Sequence, residues 1–518
     1  MVASAGKHSS RAGIFLTGAT GFLGPYLLKD LLLAGHSVTV LVRDAPGQSA
    51  GDRIAAILSR WSEQLQRPLP QPTILVGDLT QPDAGMTAAD RRWLGEHCGA
   101  TLHAAASLSF LPVAGGEPRR TNVEGTAAIL HLCQDAGISR FHHVSTAFVC
   151  GRRQGTIRED EREHDHGFYN LYEESKYEAE ALVQSAAGMQ VTIYRPAVIV
   201  GESETGYTSS YTGFYRVLEM AVRLAGTPDP SGVRFLPLRL PLRGDEPCNL
   251  VCVDWVSRAI VELLHDPCGA GRTFHLTSDS PATAALIKQT AATILRVEGV
   301  EFAGPGLLTA PTSAEEAFWD GVQRYWPYLG GTPAFDNRNT RSLLPHLPAP
   351  VIDTDRMARL VRFATADRWG RYLRPATSPA FDCASYIESV FPEQARSTNL
   401  ARELDLDVVV AVDIRGPGGG QWSCAWRGGE LQPPWRGLSE KATAIYVLDS
   451  ATFAAIVERR LSPQQAFLDR GIEIKGDLES GLKLALLFGH FLEIVARGPR
   501  PSTEAIDVPG CNRGPVRR

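Results

Sequence analysis

Residues Ile14 to Gly24 read IFLTGATGFLG. An apolar strand runs into T-G-x-x-G-x-x-G, and a helical pattern, GPYLLKDLLLAG from Gly24 to Gly35, follows without a break. Each glycine has its own task in such a turn. Gly18 permits the tight bend, Gly21 lets a pyrophosphate approach the backbone, and Gly24 lets the helix pack closely on the strand. The phosphates then rest on unpaired N–H groups at the positive end of the helix. A glycine pattern alone is weak, but strand, glycines and helix in this order make a dinucleotide site the expected reading.

Working outward, GIFLTG, SVTVLVR, TILVGD, GATLHAA, RFHHVSTAFV and QVTIYRPAVIV read as buried strands, rich in Val, Ile, Leu and Thr. Helical patterns separate them, among them VEGTAAILHLCQDAG, which ends in Gly137 as a C-cap. Strict alternation implies right-handed crossovers and a parallel sheet covered on both faces. The fold class expected is therefore α/β: a Rossmann-type doubly wound parallel sheet over about 13–201, then a less regular substrate-binding extension over about 202–370. The Pro/Ser-containing stretch RYLRPATSPA, Arg371 to Ala380, opens a linker placed at 371–400. Beyond it DLDVVVAVDI, GQWSCAWRGG and KATAIYVLD look like a three-stranded meander, followed by two helical stretches and the short strand IEIKGD. That is a separate α+β module over 401–498. Residues 1–12 and 499–518 are expected to be disordered ends.

With 518 residues the chain needs several domains. Its hydrophobic fraction of 44% and charged fraction of 21% are those of a globular protein. A formal net charge of -5 supplies no basic field for a phosphate backbone, so no nucleic-acid partner is expected. The 9 cysteines show no C-x-x-C pair and no zinc spacing, which points to a reducing compartment and no metal. MVASAGKHSSR at the start lacks the apolar core of a secretory signal. LKLALLFGHFLEIVA, Leu482 to Ala496, is too short and too interrupted by charge to span a membrane. A cytoplasmic location and no transmembrane segment are expected.

The second strand ends in Arg43, where an acid would favour NAD; an Arg there can pair with a 2′-phosphate instead. Asp44 follows it and weakens the inference. Asp78, at the end of the third strand, is read as accepting from the adenine amino group, or else as capping its turn. Tyr172-Glu-Glu-Ser-Lys176 sets a phenol and an ammonium one helical turn apart. A neighbouring ammonium favours the phenolate and draws a pKa near 10 toward the working range. Such a pair arises often by chance; its place after both the glycine turn and VSTAFV raises it above an exposed helical pair. Thr146, with Ser145 as the fallback, sits where a hydroxyl can hydrogen-bond a carbonyl oxygen as charge builds on it. His103 is read as a satisfied strand-end histidine, and Asn122 as orienting a helix or a water.

The strings TGATGFLG, LVR, GDLT, HAAA, TNVEGT, HVSTAFV, NLYEESKYEAE and YRPAVIVG resemble the extended short-chain dehydrogenase/reductases across about 13–370. The nearest branch is that of the fatty acyl reductases and thioester reductase domains. The resemblance implies Thr146, Tyr172 and Lys176 as catalytic residues. It also implies an NADP(H) site lined by Gly18, Thr20, Gly21, Phe22, Leu23, Gly24, Arg43, Asp78, Leu79 and Lys176. TAIYVLDSATFAAIVERRLSPQQAFLDRGIEIKGD is similar to sterol carrier protein-type domains, which implies a tunnel for a long-chain lipid. The alternative for the module is a packing element that binds nothing.

Three functions follow. The first is NADPH-dependent reduction of a long-chain acyl thioester, carried on CoA or an acyl carrier protein, to aldehyde or alcohol. The second is NAD(P)-dependent oxidation of a sterol or steroid hydroxyl. The third is a non-catalytic lipid carrier, which the intact Tyr172 and Lys176 argue against.

Overall fold

The computed structural model describes residues 13–370 and 381–497, apart from 46–47, 113–114, 163–165, 227, 397, 399, 460 and 469–470. The ends expected to be disordered, 1–12 and 499–518, and the first ten residues of the expected linker lie outside the described residues. The chain divides into two compact units, residues up to 225 with 230–370, and residues from 371 with 226–229.

In the first unit, β1 (Gly13–Thr17), β2 (Val38–Val42), β3 (Thr73–Val76), β4 (Cys98–His103), β5 (Arg140–Val144), β6 (Gln190–Pro196) and β7 (Thr273–Leu276) form one sheet, in the order β7-β6-β5-β4-β1-β2-β3. Every pairing is parallel. Both edges of β1 are paired and all five of its residues are buried, which is why it reads as an unbroken apolar run. Helices α1 (Gly24–Leu33), α2 (Ala50–Leu65), α3 (Ala88–His97), α4 (Gly125–Asp135) and α5 (Leu171–Ser185) make most of the connections. Leu94 of α3, Ile129 and Leu130 of α4 and Val183 of α5 pack on Phe15, Phe141 and Ile193 from the strands. Helix Val253–His265 packs beside α1, where Ser257 Oγ donates to Asp30 at 2.6 Å.

Two strings divide where their chemistry demands. QVTIYRPAVIV is a strand only to Pro196; Val198–Val200 then pairs with Leu250–Cys252 instead. RFHHVSTAFV leaves the sheet at Val144 and turns into a short 3₁₀ segment, Ala147–Cys150. The seventh strand, TFHL, comes from within the stretch expected only to cover substrate.

The second unit holds β8 (Val408–Arg415), β9 (Gly420–Arg427), β10 (Ala444–Asp449) and β11 (Ile472–Gly476), with helices α6 (Ser450–Val457) and α7 (Leu478–Arg497). The expected meander is not formed. β8 and β9 make an antiparallel hairpin, but β10 lies parallel to β8 on its other side. The chain first passes through two short edge strands, Glu430–Leu431 and Trp435–Arg436, and then crosses back. The linker placed at 371–400 is likewise too long. Residues 383–396 are helical, and Cys383, Tyr386, Ile387 and Phe391 are buried in the core of this unit. Pro392 is buried beside Phe391 in the same stretch. Among the described residues no helix is long and apolar enough to cross a membrane.

Candidate functional site: a dinucleotide crevice beside a buried polar network

β1 lies between β2 and β4, so consecutive connections leave it in opposite directions and open a crevice at the carboxyl ends of the strands. The glycine turn occupies that crevice. Gly18 has φ +77°, and a Cβ there would stand 2.6 Å from the Ala105 nitrogen. A Cβ on Gly24 would lie 2.0 Å from the Gly18 carbonyl oxygen. Gly21 faces solvent, Phe22 is half-buried and Leu23 is buried at the head of α1. This bare backbone cradle fits a pyrophosphate on the α1 N-terminus.

The side of the crevice along β2 holds a second arginine that sequence reading missed. Arg53, on α2, donates to the Arg43 carbonyl at 2.6 Å and to Thr20 Oγ1 at 2.8 Å. Its position on a helix ten residues past the strand end gave no local signal. Asp44, the acid that clouded the choice of cofactor, accepts the Ala50 N–H at 2.7 Å and so caps the start of α2. Asp78 accepts the N–H and hydroxyl of Thr80, both at 2.9 Å, and lies 3.8 Å from Arg43. The turn-capping alternative describes its contacts. Leu79 packs against Gly125 at the start of α4.

Thr146 and Tyr172 meet. Thr146 follows β5 and Tyr172 lies in the first turn of α5, and the Thr146 hydroxyl lies near enough to the Tyr172 phenol to favour its phenolate. Burial, then the Glu173 carboxylate beside it, hold the Tyr172 phenol above its ordinary pKa. This reverses the expectation that Lys176 draws the phenol down. The Lys176 ammonium is engaged elsewhere, donating to the Val144 carbonyl at 2.8 Å and lying 3.3 Å from His143 Nε2. Burial lowers Lys176 itself to about 8. Ser145 is also buried, and its hydroxyl has no hydrogen-bond partner among the described residues.

Around these groups is a network the sequence only hinted at. His103 bridges Thr17 (2.8 Å) and Thr126 (3.0 Å), and burial lowers it to about 3, so it stands neutral and satisfied. Asn122 ties the loop after β4 to α5. Its amide accepts from the Ser107 N–H at 2.7 Å and donates to Ser107 O and Ser175 Oγ, each at 2.9 Å. Glu180 of α5 and Arg195 of β6 form a bidentate pair at 2.6 and 2.9 Å with neither side chain exposed. Aromatic rings close the site: Phe110 lies tilted against Tyr172 and Tyr328, and Phe148 meets Tyr328 edge-on with centroids 4.7 Å apart.

Residues 16–260 match the family described as male sterility protein, an NAD-binding domain, and residues 392–489 match the SCP-2 sterol transfer family. The chain joins a male sterility-type reductase domain to an SCP-2 domain. The first of these matches is to an NAD-binding family. The chain is 28% identical over 288 residues to nonribosomal peptide synthetase asaC of Aspergillus flavus, covering 53% of this chain and 27% of that protein. It is 29% identical over 303 residues to the L-2-aminoadipate reductase large subunit of Candida glabrata, covering 51% and 20%. The chain thus spans about a quarter of the length of these relatives. Among solved structures, the terminal R domain of the myxalamid PKS-NRPS pathway matches with a TM-score of 0.57 and 28% identity, over 69% of this chain and 91% of that one.

The SCP-2 domain encloses an apolar cavity of about 160 Å³, walled by Phe391, Val412, Trp426, Tyr446, Phe453 and Phe488 among others. A smaller one, about 90 Å³, lies in the reductase domain between Leu218, Leu238, Ile287, Phe302, Phe318 and Trp326.

Proposed function

We propose that the protein is an NADPH-dependent reductase of long-chain acyl thioesters, on CoA or an acyl carrier protein, giving aldehyde or alcohol. The observation that carries this is the meeting of the Thr146 and Tyr172 side chains at the carboxyl edge of the sheet, beside the glycine cradle. When bound, NADPH supplies hydride to a carbonyl carbon. Gly18, Thr20, Gly21, Phe22, Leu23 and Gly24 would hold its phosphates, and Arg43 with Arg53 its 2′-phosphate. Asp44 is engaged with α2, which supports the phosphate over a bare ribose. Asp78 and Leu79 would border the adenine, and Lys176 the nicotinamide ribose.

The chain's own residues then act on the carbonyl oxygen. Thr146 and Tyr172 each present an O–H, and their donors strengthen as negative charge gathers there. Tyr172, held protonated by burial, is the proton donor. A thiolate is a good leaving group, so collapse after the first reduction releases free thiol and aldehyde. The relation to a terminal reductase domain supports a thioester as substrate. The cavity of the SCP-2 domain would retain the apolar chain and raise its concentration near the catalytic unit.

Incubation with NADPH and palmitoyl-CoA tests this, following absorbance at 340 nm (about that wavelength for any reduced nicotinamide), thiol release and product mass. Oxidation of NADPH with stoichiometric thiol supports the proposal. Turnover confined to a sterol alcohol with NADP would replace it with the dehydrogenase reading, and no turnover with either would leave a lipid carrier.

A further inference from the structure

At the carboxyl edge of the sheet Thr17 of β1 lies opposite His103 of β4, and His103 opposite His143 of β5. Both histidines are fully buried. The hydrogen bonds along this row fix where their protons sit. Thr126 Oγ1 spends its proton on the Asn122 carbonyl at 2.6 Å, so it accepts from His103 Nε2 at 3.0 Å. His103 Nδ1 is then a lone pair that accepts the Thr17 hydroxyl at 2.8 Å. The His143 ring lies over that anchored ring, with centroids 5.6 Å apart and planes 21° from parallel. Its Nε2 stands 3.3 Å from Lys176 Nζ, whose other hydrogen-bond partner among the described residues is the Val144 carbonyl at 2.8 Å. An ammonium only donates, so His143 Nε2 accepts and the His143 proton sits on Nδ1. That Nδ1 is buried and has no hydrogen-bond partner among the described residues. An unpaired buried donor is destabilising, and an apolar side chain would avoid it, so the use of this imidazole lies at Nε2.

We propose that His143 is a positioning residue: its Nε2 and the Val144 carbonyl together fix the Lys176 ammonium so that the remaining N–H is turned toward the nicotinamide ribose. This rests on reading Lys176 as the residue that holds that ribose. Two acceptors on one tetrahedral nitrogen leave a single N–H free and determine its direction. With Val144 alone, the ammonium would turn about one bond at the end of a flexible stem. The positive charge stays on Lys176, because burial, then Lys176 and His103, hold His143 well below the ordinary histidine range and the ring remains neutral. His103 in turn steadies the His143 ring, which ties Thr17, the residue before the glycine turn, to the far end of the cofactor crevice.

Three substitutions sort the nitrogen from the bulk. His143→Gln sets an amide as many bonds from the backbone as Nε2, His143→Asn sets it only at the level of Nδ1, and His143→Leu keeps volume without an acceptor. NADPH binding to the full-length protein, followed by the fluorescence of the reduced nicotinamide, needs no acyl substrate. His143→Leu and His143→Asn should each raise the Kd for NADPH about tenfold, the usual worth of a hydrogen bond to a charged group, while His143→Gln stays within about twofold of the wild type. In a Lys176→Met background, with no ammonium to place, His143→Leu should add nothing further. Losses that add in the double variant overturn the inference and mark His143 as core packing, as does a Gln variant no tighter than the Asn variant. Nitrogen NMR of isotope-labelled histidines, with His143 assigned by its loss in His143→Gln, should show the proton on Nδ1; a proton on Nε2 also overturns it. If His143→Leu does not fold, the Gln and Asn pair decides. A Lys176→Met variant that binds NADPH as tightly as the wild type sinks the reading of Lys176 itself. A Lys176→Met loss that His143→Leu does not share sinks only the role of His143.

Discussion

In the reductase unit, Arg195 and Glu180 face each other with no exposure to water, and histidines, threonines and Asn122 fill the space between strands and helix. The SCP-2 unit is built the opposite way: its interior is aromatic and aliphatic around a cavity of about 160 Å³. The contrast follows from what each interior must do. Polar partners fix angles and distances, because every unpaired donor or acceptor carries a penalty; this suits a site where two hydroxyls must converge on one atom. An apolar hollow recognises little beyond size and greasiness, which suits chains of variable length.

The contrast is sharpest if chemistry and retention separate by mutation. Tyr172→Phe should lower kcat by about 10²–10⁴-fold, the usual worth of a positioned proton donor, while fluorescent fatty-acid binding stays at the wild-type level. A drop in both would mean that the two interiors are not independent. Arg195→Met strands Glu180 as an uncompensated buried anion, so denaturant unfolding should show a loss of about 3–5 kcal/mol. A loss below 1 kcal/mol or so would show that water reaches the pair. Arg53→Ala should raise KM for NADPH about tenfold, in line with one charge-assisted hydrogen bond, and leave KM for NADH alone. In the other unit, Val412→Phe should fill part of the cavity and weaken fatty-acid binding several-fold, with butyryl-CoA reduction intact.

The smallest effect is one of pH. Glu173 binds its proton more tightly folded, at about 7, than its ordinary value of 4.5. Its contribution to stability is therefore fully present below pH 4.5 and lost as pH rises through 7. Relative to Glu173→Gln, the wild type should lose a few degrees of melting temperature between pH 5 and 7.5. Parallel melting curves across that range would remove Glu173 from the titration.

The glycine turn was legible because it is local. Strand, glycines and helix are contiguous, and the Gly18 and Gly24 positions tolerate no side chain for reasons of backbone contact alone. Tyr172 and Lys176 were legible as a spacing on one helix. What escaped depends on distant chain. Arg53 reaches Thr20 across 33 positions, and Tyr328 reaches Glu173 across 155, with nothing in either neighbourhood to mark them. β7 was missed because four residues, TFHL, carry too short a pattern. The β8–β10 pairing was misread because a sequence shows that strands exist but not which edges they share. The sign of the Tyr172 shift was missed for a similar reason: only the fold shows that Lys176 turns to Val144 while Glu173 turns inward.

β7 bears on where the protein can be cut. The family match ends at residue 260, but the sheet is completed only at Thr273–Leu276. Glu159 then locks that strand by accepting the N–H groups of His275 at 2.9 Å and Asn339 at 2.7 Å. A gene trimmed to the matched stretch would leave the whole flank of β6, with Ile193 and Tyr194, open for strands of other molecules to join. Expression trials of the isolated enzyme half should therefore stop no earlier than Gly370, and shorter pieces should collect in the insoluble fraction.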